Sequence, residues 1–140
     1  MSVLRAELLI ALSANTNRLR DAMRTELARP INLDDGRRLQ FEIDPFFFGI
    51  SSCATEEALL SADWLNEALP EDWFERADTL AGGWNEMISQ ELCPWFVECW
   101  QAVDGPARFS PAFLFFHGYH LQQFDLGRGR WLSSAEAFGK

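Results

Sequence analysis

The sequence predicts an α+β fold in which a mainly antiparallel sheet packs against helices, in the order α-β-β-α-α-α-β-β-β. Three observations carry that expectation. Apolar residues recur at three- and four-residue spacing over 3–28 and 84–103, the period of a helix with one buried face. They alternate with polar residues over 39–44, the period of a half-buried strand. The strand-like stretches gather toward the two ends of the chain around a helical middle, which suits helices layered on a sheet better than alternating βαβ units.

The first element reads as one long amphipathic helix over 3–28. Leu4, Leu8, Leu12, Leu19, Met23 and Leu27 form its stripe, while Arg5, Asn17, Arg20, Asp21 and Arg24 fall away from it. Asn15 interrupts the apolar seam, as a buried polar group with a partner or as a residue at the stripe's edge. Pro30 stops the helix, because it biases Arg29 out of the helical region. Asp34, Asp35 and Gly36 supply turn chemistry. Leu39, Phe41 and Ile43 then alternate with Gln40, Glu42 and Asp44. After Pro45, "FFFGIS" is apolar without a break, as in a strand covered on both faces, with Gly49 marking a bulge or a close contact.

Thr55 reads as an N-cap, with Glu56 and Glu57 in the first turn of a helix. That helix carries Leu59, Leu60, Leu65, Ala68 and Leu69 and ends near Pro70. A short helix from Glu71 to Ala81 stops at Gly82 and Gly83. The next runs from Trp84 to Val103. Its apolar period survives across Pro94, which predicts a kink there and not two helices. The tail is a β-meander. "AFLFF" is a buried strand, His117-Gly118 a tight turn, "YHLQQFDL" the neighbouring strand, "GRG" a second turn and "RWLS" an edge strand. Ser133 or Ser134 caps a last short helix.

With 140 residues, 48% of them hydrophobic, and neither a Gly/Ser linker nor an internal repeat, the chain reads as one domain over 1–140. No apolar run approaches the length of a membrane span. "MSVLRAELLIAL" carries Glu7 inside its apolar run and no small-residue cleavage site after it, so it reads as helix and not as a signal peptide. Cys53, Cys93 and Cys99 make an odd count. Six helical residues set Cys93 and Cys99 roughly 9 Å apart on different faces, too far to bridge. Free buried thiols in a reducing cytoplasm are the simpler account.

The formal net charge is −9 and the pI about 4.6. Such a chain is repelled by nucleic acid and by anionic membrane surfaces, and attracts basic proteins. The charge is also uneven. From Glu42 to Asp104 fourteen acids stand against one base, Arg76, while seven arginines oppose five acids in the first 38 residues. Little in the acidic stretch offsets the repulsion at helical spacing. Trp64, Trp73, Trp84, Trp95 and Trp100 lie in the same stretch. Trp84, Trp95 and Trp100 fit the buried stripe of their helix, whereas Trp73, between "PED" and Phe74, is the aromatic expected at the surface. A solvated helix face is the simpler account of these acids. The functional account is a docking surface for a basic partner protein, made by Asp63, Glu67, Glu71, Asp72, Trp73, Glu75, Asp78 and Glu86.

Catalysis and metal binding find less support. His117 and His120 differ by three positions and point to opposite faces of a strand, and no carboxylate or thiol stands nearby at a ligand spacing. No metal and no cofactor is therefore expected. A Cys–His pair is the nucleophilic constellation that the composition allows. The competing reading is thus a small enzyme or ligand-binding domain using His117, Tyr119, His120 and Cys53. "GRGR" is followed by no strand–loop–helix unit and reads as a turn, not a phosphate loop.

"PINLDDGRRLQFEID" (Pro30–Asp44), following an N-terminal helix, resembles the opening of the small acidic chaperones of type III secretion. The resemblance implies effector binding without catalysis, in a homodimer; the residues themselves leave the oligomeric state open. A Trp-rich helical block stands where that family continues its sheet. The same profile of size and acidity is similar to immunity proteins, small acidic inhibitors that block a toxin by binding it. The reading that follows is a cytoplasmic, non-enzymatic module, an inhibitor or immunity factor that docks a basic toxin or effector.

Overall fold

A computed structural model describes residues 2–29, 39–43, 49–61, 63–79, 83–109, 111–116 and 122–138. The chain is α+β, with a mainly antiparallel sheet packed against helices. The first half contains α1 (Val3–Ala14), α2 (Thr16–Leu27), β1 (Leu39–Ile43), β2 (Ile50–Ser52) and β3 (Ala58–Leu60). The middle contains α3 (Trp64–Ala68), α4 (Trp73–Ala77), α5 (Gly83–Ala102) and α6 (Gly105–Arg108). The tail contains β4 (Ala112–Phe116), β5 (Gln122–Asp125), β6 (Arg130–Ser133) and α7 (Ser134–Phe138).

The long helix expected over 3–28 is two helices, and Asn15 divides them. Its backbone lies at φ −108° and ψ 5°, and its N–H turns back to the Leu12 carbonyl. The Ala11 carbonyl that this N–H would have met receives the Asn15 side-chain Nδ2 instead, at 2.9 Å. Asn15 Oδ1 accepts from Arg18 Nη1 at 3.0 Å. The residue is buried, and its side chain replaces the backbone bonds lost at the break. Trp95 of α5 donates to the hydroxyl of neighbouring Thr16 at 2.9 Å, fixing the break against α5. On either side of the break Leu8, Leu12, Leu19, Met23 and Leu27 are buried, so the apolar stripe is indeed the inner face.

The sheet order is β3-β2-β1-β4-β5-β6. All neighbours are antiparallel except β1 and β4, which run parallel with Phe41 opposite Leu114. A parallel pair needs a long crossover, and the helical middle of the chain supplies it. Alternation in β1 places Leu39, Phe41 and Ile43 on the helix side. There Phe41 meets Phe96 at 5.3 Å and Trp100 at 5.4 Å between ring centroids, both from α5. Fully burying one such ring contributes about 1.5–3 kcal/mol. Across the sheet, Phe113 joins Leu132 and Ala137 in a smaller cluster beneath α7, so β4 is covered on both faces.

The helix expected to start at Thr55 does not form. Ala58–Leu60 is a strand paired with β2, and helix resumes only at Trp64. Glu56, expected in the first helical turn, stands at φ +61°, outside the right-handed helical region that a first-turn residue must adopt. The Thr55 hydroxyl, offered as the cap, accepts from the Glu57 N–H at 3.3 Å in a local turn that no helix continues, and donates to Glu26. The helix predicted over 71–81 is shorter, Trp73–Ala77. α5 runs through Pro94, which sits on its exposed side, where water can take the carbonyl that proline leaves free.

The tail follows expectation. Asp125 Oδ1 accepts from the N–H groups of Gly127 and Arg128 at 2.9 and 3.0 Å, and Gly129 takes φ +68° to close the β5–β6 turn. Ser133 is the cap of α7. Its hydroxyl accepts from the Glu136 N–H, and the Glu136 carboxylate accepts from the Ser133 N–H, a reciprocal capping box. Those hydrogen bonds from Ser133 hold the Glu136 carboxyl below its ordinary value. The turn at Asp34–Gly36, the stretch Phe46–Phe48 and the turn at His117-Gly118 lie outside the described residues.

Candidate functional site

The eight residues singled out for docking separate into three groups. Asp63, Glu67, Glu71, Glu75, Asp78 and Glu86 are exposed, and among the described residues no cation pairs with them. Asp63 accepts from Asn66 and Glu86 from Gln90, which orients both carboxylates without neutralising them. Asp72 is also exposed but is engaged: Arg76 Nε approaches its Oδ2 at 3.1 Å. The same guanidinium reaches back to Glu7 of α1, with Nη2 3.0 Å from Oε1. The one base of the acidic stretch is therefore spent on α1 and on Asp72.

Trp73, which its acidic sequence context places at the surface, is instead 0% exposed. Its indole Nε1 donates to the Leu4 carbonyl at 2.9 Å, and its ring meets Phe74 edge-on at 5.0 Å. An indole whose N–H finds a backbone acceptor can be buried at little polar cost, which the flanking acids do not reveal. Trp64, Trp95 and Trp100 are buried as well, with Trp64 stacked on Trp95 at 5.4 Å.

α3 and α4 both pack on α1, and α4 also touches α5. Their buried faces are Trp64 and Leu65 on one helix and Trp73 and Ala77 on the other. Glu67 of α3 and Glu75 of α4 lie on the exposed sides of these helices, Asp63, Glu71 and Asp78 flank them in the chain, and Glu86 is on α5. Arginines from the N-terminal half do fold onto the acidic stretch, but elsewhere: Arg5 Nε lies 3.2 Å from Glu91 Oε1, and Arg29 Nη1 lies 3.7 Å from Glu57 Oε1.

The residues proposed for a Cys–His pocket do not gain from the structure. His117, Tyr119 and His120 lie outside the described residues. Cys53 is at the surface, not buried as expected, and its thiol is pushed up to about 11 by partial desolvation and by the nearby Glu42 carboxylate. A nucleophilic thiol needs the opposite shift. Cys93 and Cys99 are free and buried. Among the described residues, no three His, Cys, Asp or Glu side chains group as a metal site, and no helix is long and apolar enough to cross a membrane.

One feature was missed by reading the sequence. A cleft of about 210 Å³ opens between the end of α2 and β3, lined by Ala22, Thr25, Glu26, Arg29, Glu57, Ala58 and Leu59. Glu26 is only 1% exposed. Its signal in the sequence is position: it falls three residues after Met23 and beside Leu27, on the buried side of the helix stripe.

Compared with protein-family models, with curated proteins and with solved structures, the chain matches none.

Proposed function

We propose that the chain is a non-enzymatic, cytoplasmic protein-binding module, an inhibitor of the immunity type that docks a basic toxin or effector protein. The observation that carries this reading is the set of six exposed carboxylates, Asp63, Glu67, Glu71, Glu75, Asp78 and Glu86, with no cation paired to them among the described residues. Like charges held together on a surface repel one another and lower the stability of the compact state. A positive partner surface relieves that repulsion, and complementary charge accelerates encounter. Three free cysteines fit a reducing compartment.

With Trp73 buried, the surface loses the aromatic anchor that hot spots favour. Docking then depends on charge, so it is fast and sensitive to salt. The test replaces Glu67, Glu71, Glu75 and Asp78 together by lysine, leaving the Asp72–Arg76–Glu7 network untouched. Bait of either charge is used to capture proteins from an extract of the source cells, at rising ionic strength. The wild-type protein is expected to retain a basic protein that salt releases, and the variant to lose it while keeping its circular dichroism. Recovery of that protein by both baits with the same salt dependence would reject the surface.

A further inference from the structure

The cleft beside Glu26 has a chemistry that can be read from its walls. Glu26 is the penultimate residue of α2, at the negative end of the helix dipole, where a carboxylate is disfavoured. It is also buried, and a buried charge requires compensation. The compensation present is thin. One hydroxyl, that of Thr55, is shared between Oε1 at 2.8 Å and Oε2 at 2.9 Å. The Arg29 guanidinium stays 3.7 Å from Oε1 and stands equally far, 3.7 Å, from Glu57. Two carboxylates thus share one cation, and the charged lining carries a net negative charge.

The hydroxyl protons at the site are already committed. Thr55 gives its proton to Glu26, and Thr25 gives its own to the Asp21 carbonyl at 3.0 Å. What remains toward the cleft is acceptor capacity: the Glu26 and Glu57 carboxylates and the lone pairs of the Thr25 oxygen. Ala22, Ala58 and Leu59 add an apolar wall. A ligand matched to this lining brings positive charge and N–H donors at one end and a short alkyl stem at the other.

We propose that this cleft is a binding site for one alkylammonium or alkylguanidinium group, with Glu26 as the buried counter-ion, Glu57 as the outer carboxylate and Arg29 as the internal cation that the ligand displaces. The chemistry is that of a lysine or arginine side chain and equally of a small free amine. The site is independent of the acidic face of α3 and α4, because none of its residues belongs to those helices.

The test is a titration of the isotopically labelled full chain with n-butylammonium chloride, followed by amide signals in NMR, with 1-butanol as the uncharged control. Saturable shifts confined to Ala22–Arg29 and Thr55–Leu60 are expected from the ammonium and not from the alcohol. Arg29→Gln is expected to tighten binding by about 1.5- to 5-fold, the range an exposed ion pair supplies, because the competing guanidinium is gone. Glu57→Gln should weaken it by a similar factor, and Glu26→Gln by about tenfold or more, as loss of a charged hydrogen bond implies. Should Glu26→Gln fail to fold, the Arg29 and Glu57 variants still decide, since both side chains are substantially exposed. Tighter binding of N-acetyl-lysine methylamide than of n-butylammonium assigns the group to a polypeptide side chain, and the reverse order to a free amine. Equal shifts from butanol and n-butylammonium, or no saturable shift in either wild type or Arg29→Gln, would overturn the proposal.

Discussion

The Trp73 indole nitrogen donates to the Leu4 carbonyl at 2.9 Å, joining residues 69 positions apart. The bond fixes α4 to the first turn of α1. It sits beside the Arg76–Glu7 ion pair, which links the same two helices at 3.0 Å. One contact is buried and directional, the other half-exposed and electrostatic. Together they hold α4 against α1 with Glu75 on its exposed side.

The buried contact dominates. Trp73→Phe keeps an aromatic ring but leaves the Leu4 carbonyl without the indole donor, and is expected to cost about 1–2 kcal/mol. Trp73→Ala also opens a cavity and is expected to cost about 3–5 kcal/mol. Arg76→Gln, at the exposed pair, should cost less than either substitution of Trp73, because solvent screens the pair. Urea denaturation of the three variants checks the ranking; an Arg76 effect larger than that of Trp73→Ala would reverse it.

Gly105 supplies a second sharp test. A Cβ placed there would fall inside the Trp100 indole, against Cδ2 and Cε2. Trp100 is itself buried against Phe41 of β1. The ring cannot give way without disturbing the contact between α5 and the sheet. Gly105→Ala is expected to destabilise the fold by about 1–3 kcal/mol or more, as overpacking does, in spite of alanine's better helix propensity. A thermal midpoint equal to or above that of the wild type would contradict the packing.

These residues also mark the limit of what local sequence expresses. Periodicity located α5, β1 and the C-terminal meander, because burial on one face imposes a spacing that any reader can count. Partners distant in sequence impose none. Thr55 has the composition of an N-cap, yet Glu26, 29 positions away, takes its hydroxyl. Trp73 is surrounded by acids, yet its acceptor lies in the first helix. Asn15 was legible as an irregularity in the stripe, but its role in dividing the helix depends on which carbonyls its amide reaches. The outward acids were visible as a composition bias, whereas the cleft at Glu26 required α2 and β3 to be brought together.

Glu56 provides a prediction in the stabilising direction. It stands at φ +61° in the β2–β3 turn, where its N–H bonds the Ser52 carbonyl at 2.8 Å. A residue with a Cβ is strained there by about 1–2 kcal/mol. Glu56→Gly relieves that strain but loosens the unfolded chain, which offsets part of the gain. A net stabilisation of about 0.5–1 kcal/mol is expected, measured as an upward shift of the urea midpoint. Destabilisation would show that the Glu56 side chain makes a compensating contact.

The buried thiols tie stability to pH. Burial pushes Cys93 up to about 12, and it pushes Cys99 up as well, opposed by the Arg20 guanidinium. In the unfolded chain both thiols ionise near the ordinary value of 9.0. Between 9.0 and about 12 the folded protein therefore holds the Cys93 proton that the unfolded chain has released. Stability is complete below the unfolded value and falls as pH rises toward the folded one, by up to about 1.4 kcal/mol per pH unit for a single thiol. Cys93→Ala is expected to flatten part of that decline, at the cost of a small offset at neutral pH from the lost sulfur. Urea midpoints from pH 7 upward for wild type and variant measure the difference directly. Parallel curves would mean that Cys93 does not carry the alkaline loss.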